Sequence, residues 1–135
     1  MATQMFVNLP VKNLDKSVEF FTQLGFKFNP LFTNEKATCM IVGSDSYVML
    51  LVESFFQTFT PKPLCDATKS TEMLICLSSE SQGAVEAMVA KAVAAGGTTP
   101  TQPKDFGFMY QHGFQDLDGH LWELMYMDIN AMPKA

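Results

Sequence analysis

The sequence predicts an α+β domain of two βαβββ modules, forming an open, cupped mixed sheet with the helices outside. Two observations carry this. The order strand, helix, three strands runs twice through the 135 residues, with a period of about 67 residues, and self-similarity at a fixed period signals a repeated structural unit. Each helical segment also has one apolar face and ends at glycine, so neither module alone can bury both its helix and its sheet. The length suits one domain, with module 1 at about 5–53, a linker at 54–70 and module 2 at about 71–128.

Phe6–Val11 reads as a short strand, in which Pro10 marks an edge position or a bulge. Asn13 or Asp15 can cap the next helix, which carries Val18, Phe21 and Leu24 on one face. Gly25 stops it. Phe26–Phe32, Ala37–Val42 and Tyr47–Val52 read as three strands, separated by the turn-forming clusters Asn34–Lys36 and Gly43–Ser46. Residues 54–70 hold Phe55, Phe56, Phe59 and two prolines. So long a connection either packs down as a linker or covers a site.

The second half repeats the order. Met73–Leu77 is a strand, and Ser79 or Ser81 caps a helix with Val85, Met88, Val89, Ala92 and Val93 on one face. Gly96-Gly97 ends that helix. Thr98–Thr101 reads as a short strand, then Phe106–Gln115 and His120–Met127 as two longer ones. Asp116-Leu117-Asp118-Gly119 joins them, and its Asp-Gly suits a tight hairpin. The tail after Asp128 is expected to be loose.

Composition narrows the function. The net charge is -5 with nine scattered lysines and no arginine, which argues against nucleic acid, since that partner selects clustered positive charge. Lacking the guanidinium fork, the chain is poorly suited to clamp phosphate or carboxylate ligands, and a neutral or cationic ligand fits better. No apolar run approaches the ~20 residues that span a bilayer, and Met1-Ala2-Thr3-Gln4 is unlike a signal peptide; a cytoplasmic location without membrane contact is expected. Cys39, Cys65 and Cys76 are an odd set without metal or redox spacing, read as free thiols, with Cys39 and Cys76 buried in apolar runs. The ten methionines fill irregular core or line an adaptable pocket.

Two stretches carry a family likeness. Val11-Lys12-Asn13-Leu14-Asp15-Lys16-Ser17-Val18-Glu19-Phe20-Phe21, leading to Leu24-Gly25-Phe26, resembles an opening V-x-D-x-x-x-S-x-x-F-Y followed by L-G-F. Phe114-Gln115-Asp116-Leu117-Asp118-Gly119-His120-Leu121-Trp122-Glu123-Leu124 resembles a closing F-x-D-P-D-G-x-x-x-E-L, with Leu117 in place of proline. Both motifs, at opposite ends of the duplicated order, resemble the vicinal-oxygen-chelate superfamily of glyoxalases, bleomycin-resistance proteins and dioxygenases. The likeness covers essentially the whole chain and implies the doubled fold. Members commonly dimerise by pairing or exchanging modules, which implies a C₂ homodimer.

In metal-dependent members, four inward strand positions drawing on His, Gln and Glu hold one divalent ion. Counted from the motifs, those positions are Phe6, Met49, Leu74 and Glu123. Phenylalanine and leucine offer no lone pair, and a thioether favours soft ions, so no metal site and no cofactor are expected. His120, three residues before Glu123, turns to the opposite face by strand alternation. The same alternation groups Phe6, Asn8 and Pro10, then Met49, Leu51 and Glu53, then Leu74, Cys76 and Ser78, then Leu121, Glu123 and Met125. The expected ligand pocket is therefore a mostly apolar cup. Glu123 acts there as general base or charge partner, or is an inherited carboxylate bonded to Tyr110, Asn8 or water. His112 points either into the mouth or to the surface, and Phe55, Phe56, Phe59 and Tyr110 supply an aromatic wall. Trp122, turned away from Glu123, is expected under a helix or at a subunit contact.

Three functions fit these residues. The first is a metal-lacking binding protein of the bleomycin-resistance type that sequesters a small neutral or cationic molecule. The second, implied by the resemblance, is a glyoxalase-type lyase or isomerase (lactoylglutathione lyase-like), or a dioxygenase, with an atypical site. The third is a protein-contact module whose pocket is filled by its own side chains.

Overall fold

The computed structural model describes residues 2–131. The chain divides into two compact units, Met1–Asp66 and Ala67–Ala135, each built on an open four-stranded sheet. The architecture is the α+β, two-module one expected from the repeat.

The first unit opens with β1 (Met5–Val11), followed by α1 (Leu14–Gln23). The Asn13 side chain accepts the Lys16 amide at 3.1 Å, so Asn13 rather than Asp15 is the cap. At the other end, the Phe26 amide donates to the Phe21 carbonyl at 3.1 Å, and that of Gly25 to Thr22 at 3.0 Å, satisfying carbonyls that a helix end leaves without partners. Leu14, Ser17, Phe20, Phe21 and Leu24 are buried, while Val18, expected among them, lies at the margin and is half-buried.

β2 (Lys27–Asn29), β3 (Ala37–Ile41) and β4 (Ser46–Val52) complete the unit's sheet in the order β1-β4-β3-β2, with β1 parallel to β4 at one edge. Pro10 thus lies on an edge strand, where a missing amide donor is tolerated. β2 is shorter than the predicted Phe26–Phe32. Asn29 Oδ1 accepts the Leu31 amide at 3.0 Å and Pro30 begins a 3₁₀ turn over Pro30–Phe32, so the strand ends where proline and an Asx bond take over. On the sheet, Leu9, Val11, Thr38, Met40, Val48 and Leu50 alternate onto one face and are buried, and α1 packs by β4.

After β4 the connection is helical at its start: α2 (Glu53–Phe56) runs into a 3₁₀ turn at Gln57–Phe59. Local contacts order this part of the connection. Phe55 and Phe59 meet edge to face at 5.1 Å, one turn apart on a helical surface. Gln57 Nε2 donates to the Thr60 and Lys62 carbonyls at 3.1 and 2.7 Å.

In the second unit, β5 (Leu74–Ser78) and α3 (Gln82–Ala94) precede β6 (Lys104–Asp105), β7 (Met109–Gln115) and β8 (Leu121–Met127), and the sheet order is β5-β8-β7-β6. The repeat is therefore exact in topology, with β5 parallel to β8. Ser81, not Ser79, caps α3 through the Ala84 amide at 3.0 Å. Val85, Val89 and Ala92 are buried against the sheet, but Val93 is 47% exposed; a step of 100° beyond Ala92 carries it off the stripe. The predicted strand Thr98–Thr101 is only a bridge, Thr98 pairing with Gln115, and the second strand of the module is the later, two-residue β6. The tail forms a 3₁₀ turn at Ile129–Ala131; residues 132–135 of the expected loose tail lie outside the described residues.

The core of this unit gathers on Trp122, Phe114 and Leu124, all 1% exposed. The Phe114 and Trp122 rings lie stacked with centroids 6.1 Å apart. Fully burying a side chain of this kind stabilises by roughly 1.5–3 kcal/mol. Asp116 fixes this arrangement. Its Oδ1 accepts the amides of Asp118 (2.9 Å) and His120 (3.0 Å), and its Oδ2 accepts Trp122 Nε1 at 3.0 Å. The same carboxylate thus closes the hairpin and anchors the core tryptophan. Gly119 in that turn has φ +91°, and a Cβ there would come 2.7 Å from the backbone of Ala67 and Thr68, which only glycine allows.

Burial pushes the Asp116 carboxyl above its ordinary value, against the opposing pull of His120, the Trp122 hydrogen bond and the two amides. With the folded value raised, this group's contribution to stability grows as pH falls toward the unfolded value and is lost as pH rises through the folded one. Asp116→Asn should leave an amide donor facing the Trp122 N–H, at a cost of about 1–3 kcal/mol for an unsatisfied buried donor. Thermal unfolding followed by Trp122 fluorescence should show a lowered Tm. The wild-type advantage should widen as pH falls from neutrality toward about 4; a narrowing gap would contradict the raised carboxyl.

Candidate functional site

Side chains directly opposite in a ladder share a face, so the pairing register sorts the expected site residues. In the first sheet, Phe6 pairs with Tyr47, Asn8 with Met49 and Pro10 with Leu51; Met49 also pairs with Cys39, and Leu51 with Ala37. Phe6, Asn8, Met49 and Leu51 therefore share a face, as alternation predicted. Its character changes along the strands. Phe6 is 44% exposed and its ring stacks on Tyr47 at 4.8 Å, whereas Leu51 and Cys39 are 2% and 1% exposed. Leu51 accordingly presents no open surface. Glu53 does not join this face, because β4 ends at Val52 and Glu53 is the first residue of α2. Asn8 turns its amide to the Phe6 carbonyl at 3.2 Å.

The second sheet carries the Glu123 face. Leu74 pairs with Leu121, Cys76 with Glu123 and Ser78 with Met125. Across β7, Gln111 pairs with Met125, Gly113 with Glu123 and Met109 with Met127. Leu74, Cys76, Glu123 and Met125 thus lie together as expected, Glu123 half-buried and Met125 beside it. Cys76 is exposed, not buried as predicted, because it sits on the edge strand β5 on this more open face. Desolvation, and then the adjacent Glu123, hold its thiol above the ordinary value, which disfavours the nucleophilic thiolate. Cys39 alone of the three cysteines is buried.

Tyr110 and His112 do not belong to this site. Tyr110 pairs with Tyr126 and His112 with Leu124, on the helix face. The Tyr110 hydroxyl donates to Glu86 Oε1 of α3 at 3.1 Å, and burial, then this bond, hold the phenol above its ordinary range. His112 points neither into a mouth nor freely to solvent. Its Nε2 lies 2.9 Å from the Thr101 carbonyl and 2.9 Å from Thr99 Oγ1. A carbonyl only accepts, so Nε2 carries the proton. Thr99 in turn donates to the Gly113 carbonyl at 2.8 Å. Tyr110 therefore does not supply the aromatic wall expected of it. Trp122 is core beneath α3, as predicted.

The partner of Glu123 is Gln111, which sequence reasoning missed. Gln111 Nε2 donates to Glu123 Oε2 at 3.0 Å, rather than Tyr110 or Asn8. Its detection required the register alone: the Asp116 amide donates to the His120 carbonyl at 3.0 Å, so Gly113 and Glu123 are equally far from the turn. Gly113 makes the contact possible. A Cβ there would run into the Trp122 carbonyl oxygen and stand 3.2 Å from Glu123 Oε2, closing the space the carboxylate occupies.

The four positions compared with the metal-dependent pattern, Phe6, Met49, Leu74 and Glu123, supply one hard donor among them. Among the described residues, no group of three or more His, Cys, Asp or Glu could hold a metal ion. A hard divalent cation does not fit this donor set.

With this geometry in view, the comparisons with known proteins converge. The bleomycin resistance protein-like N-terminal family matches residues 3–43. The chain is similar in structure to a hypothetical protein from S. aureus, with 31% identity and a TM-score of 0.79, covering 93% of this chain and 94% of that one. A glyoxalase/bleomycin resistance protein/dioxygenase family enzyme from Burkholderia phytofirmans shares 16% identity at a TM-score of 0.76, over 93% and 99% of the two chains. A genomically encoded fosfomycin resistance protein from Listeria monocytogenes shares 18% identity at a TM-score of 0.67, over 97% and 98%. The curated proteins give no match. Residues 3–43 thus match a bleomycin-resistance-like family, and over nearly its whole length the chain shares the fold of solved glyoxalase, bleomycin-resistance and dioxygenase family proteins.

Gly113→Ala should separate β7 from β8 at Glu123 and cost about 1–3 kcal/mol, the usual penalty of overpacking. Its signature is local: the Gln111 side-chain amide resonances should move to solvent-exposed positions in NMR spectra. Unchanged Gln111 resonances would show that the hydrogen bond does not depend on the missing side chain.

Proposed function

We propose that this chain is a metal-free binding protein of the glyoxalase/bleomycin-resistance type, which takes a small neutral or cationic molecule against the Glu123 face of its second sheet. The observation that carries this reading is the pairing of Glu123 with Gln111. The neutral carboxamide brings no cation to the carboxylate, and around the pair stand Leu74, Leu121 and Met125 beside the Cys76 thiol. Such a surface favours an apolar body with a neutral or positive polar group. The acidic balance and the absence of arginine point the same way. No described helix is long and apolar enough to cross a membrane, which accords with a cytoplasmic protein. Exposed apolar side chains such as Met5, Phe6 and Leu74 accord with a homodimer, since uncovered apolar surface marks contact sites.

Metal analysis and thermal shift test the reading together. Purified protein should hold far less than one equivalent of Ni, Zn, Fe or Mn, and chelation should leave Tm unchanged. A binding library of apolar amines and neutral aromatics should contain members that raise Tm without metal; a ligand at 100 times its Kd adds about 2.7 kcal/mol. Near-stoichiometric metal whose removal lowers Tm would replace this reading with a lyase, isomerase or dioxygenase. A flat response across the library would favour a protein-contact role.

A further inference from the structure

Resting on the binding role proposed for this face, we infer that Gln111 is a positioning residue for Glu123, and that the pair selects an organic cation bearing N–H donors, an amidinium or ammonium on an apolar body. Three observations on one sheet face lead there.

The first is the hydrogen-bond inventory. Gln111 Nε2 donates to Glu123 Oε2 at 3.0 Å. Both carboxylate oxygens only accept, so the amide must turn its nitrogen to the acid. That leaves Glu123 Oε1 and Gln111 Oε1 as acceptors without a protein donor among the described residues. Two acceptors side by side, one of them charged, are matched by a group with more than one N–H.

The second is charge. A lysine in place of Gln111 would hold the carboxylate equally well and cancel it; the carboxamide holds it and leaves the charge for a ligand. Lys104 pairs in register with Gln111 and is the basic group on this row. It is exposed and stands two strands from β8, a spacing of about 10 Å between backbones, and it forms no ion pair with Glu123. The carboxylate therefore remains the charge at the centre of the face.

The third is the flank. Beyond Glu123 on the same face lie Met125, Met127 and Met109, the last two directly paired and all half-buried. Three flexible thioethers form a soft wall that adapts to an apolar or aromatic body, on the side opposite Leu121 and Leu74.

Benzamidine and its neutral isostere benzamide, titrated by NMR or calorimetry, test this. The wild type should bind benzamidine at least tenfold more tightly than benzamide, and added salt should weaken only the cation. Gln111→Met, which keeps side-chain volume, should bring the ratio close to one, the loss falling mainly on benzamidine; Glu123→Gln should do likewise. A merely structural role for Gln111 would lower both affinities together and leave the ratio intact. Should Gln111→Met fail to fold, Gln111→Lys, which pairs the carboxylate with a cation, should abolish the benzamidine preference. Equal wild-type affinities, or a ratio unmoved by these variants, would overturn the inference and leave the binding role standing. If neither probe nor any apolar library member binds, both fall together.

Discussion

The second sheet takes its register from one carboxylate. Asp116 accepts two turn amides and the indole N–H of Trp122, so the hairpin and the core are closed by the same group. A slip of one residue would turn every side chain of β8 to the other face, placing Trp122 where Glu123 stands. The fixed turn prevents that. From it follow the pairing of Gly113 with Glu123, the reach of Gln111 and the placement of Tyr110 under the helix.

Much of the architecture was legible in the sequence because it is written in patterns of long period. The repeated order, the caps at Asn13 and Ser81 and the Asp-Gly hairpin all rest on local chemistry that tertiary context did not override. Where reading by pattern failed, a local competitor had won. Pro30 and the Asx bond of Asn29 cut β2 short. Glu53 was assigned to the Met49 face by extending alternation one residue beyond the strand.

The site was legible in part. Alternation grouped Leu74, Cys76, Glu123 and Met125 correctly, because these lie inside regular strands. Tyr110 and His112 were misplaced because proximity to Glu123 was inferred from strand adjacency without counting from the turn. That count puts odd-numbered residues of β7 on the Glu123 face and even-numbered ones beneath α3. Gln111 escaped notice for the same reason, and because a glutamine carries no motif of its own.

Shared fold and donor chemistry bear on different levels. The fold is shared with enzymes and resistance proteins alike, so it does not choose a reaction. The residues at the compared positions do more, since three of the four offer hydrocarbon or thioether in place of hard lone pairs. What persists is a single acid, steadied by an amide.

The helix over this sheet has its own consequence. α3 is largely alanine and valine, with Val85 and Ala92 wholly buried, so it lies on the strands as a smooth rod, while the bulk of the interface comes from Trp122 and Phe114 below. Smooth surfaces resist separation better than they resist sliding. The phenol of Tyr110, reaching up to Glu86, acts as a detent against axial slip, so the polar contact locates a helix that hydrocarbon alone would hold loosely along its length.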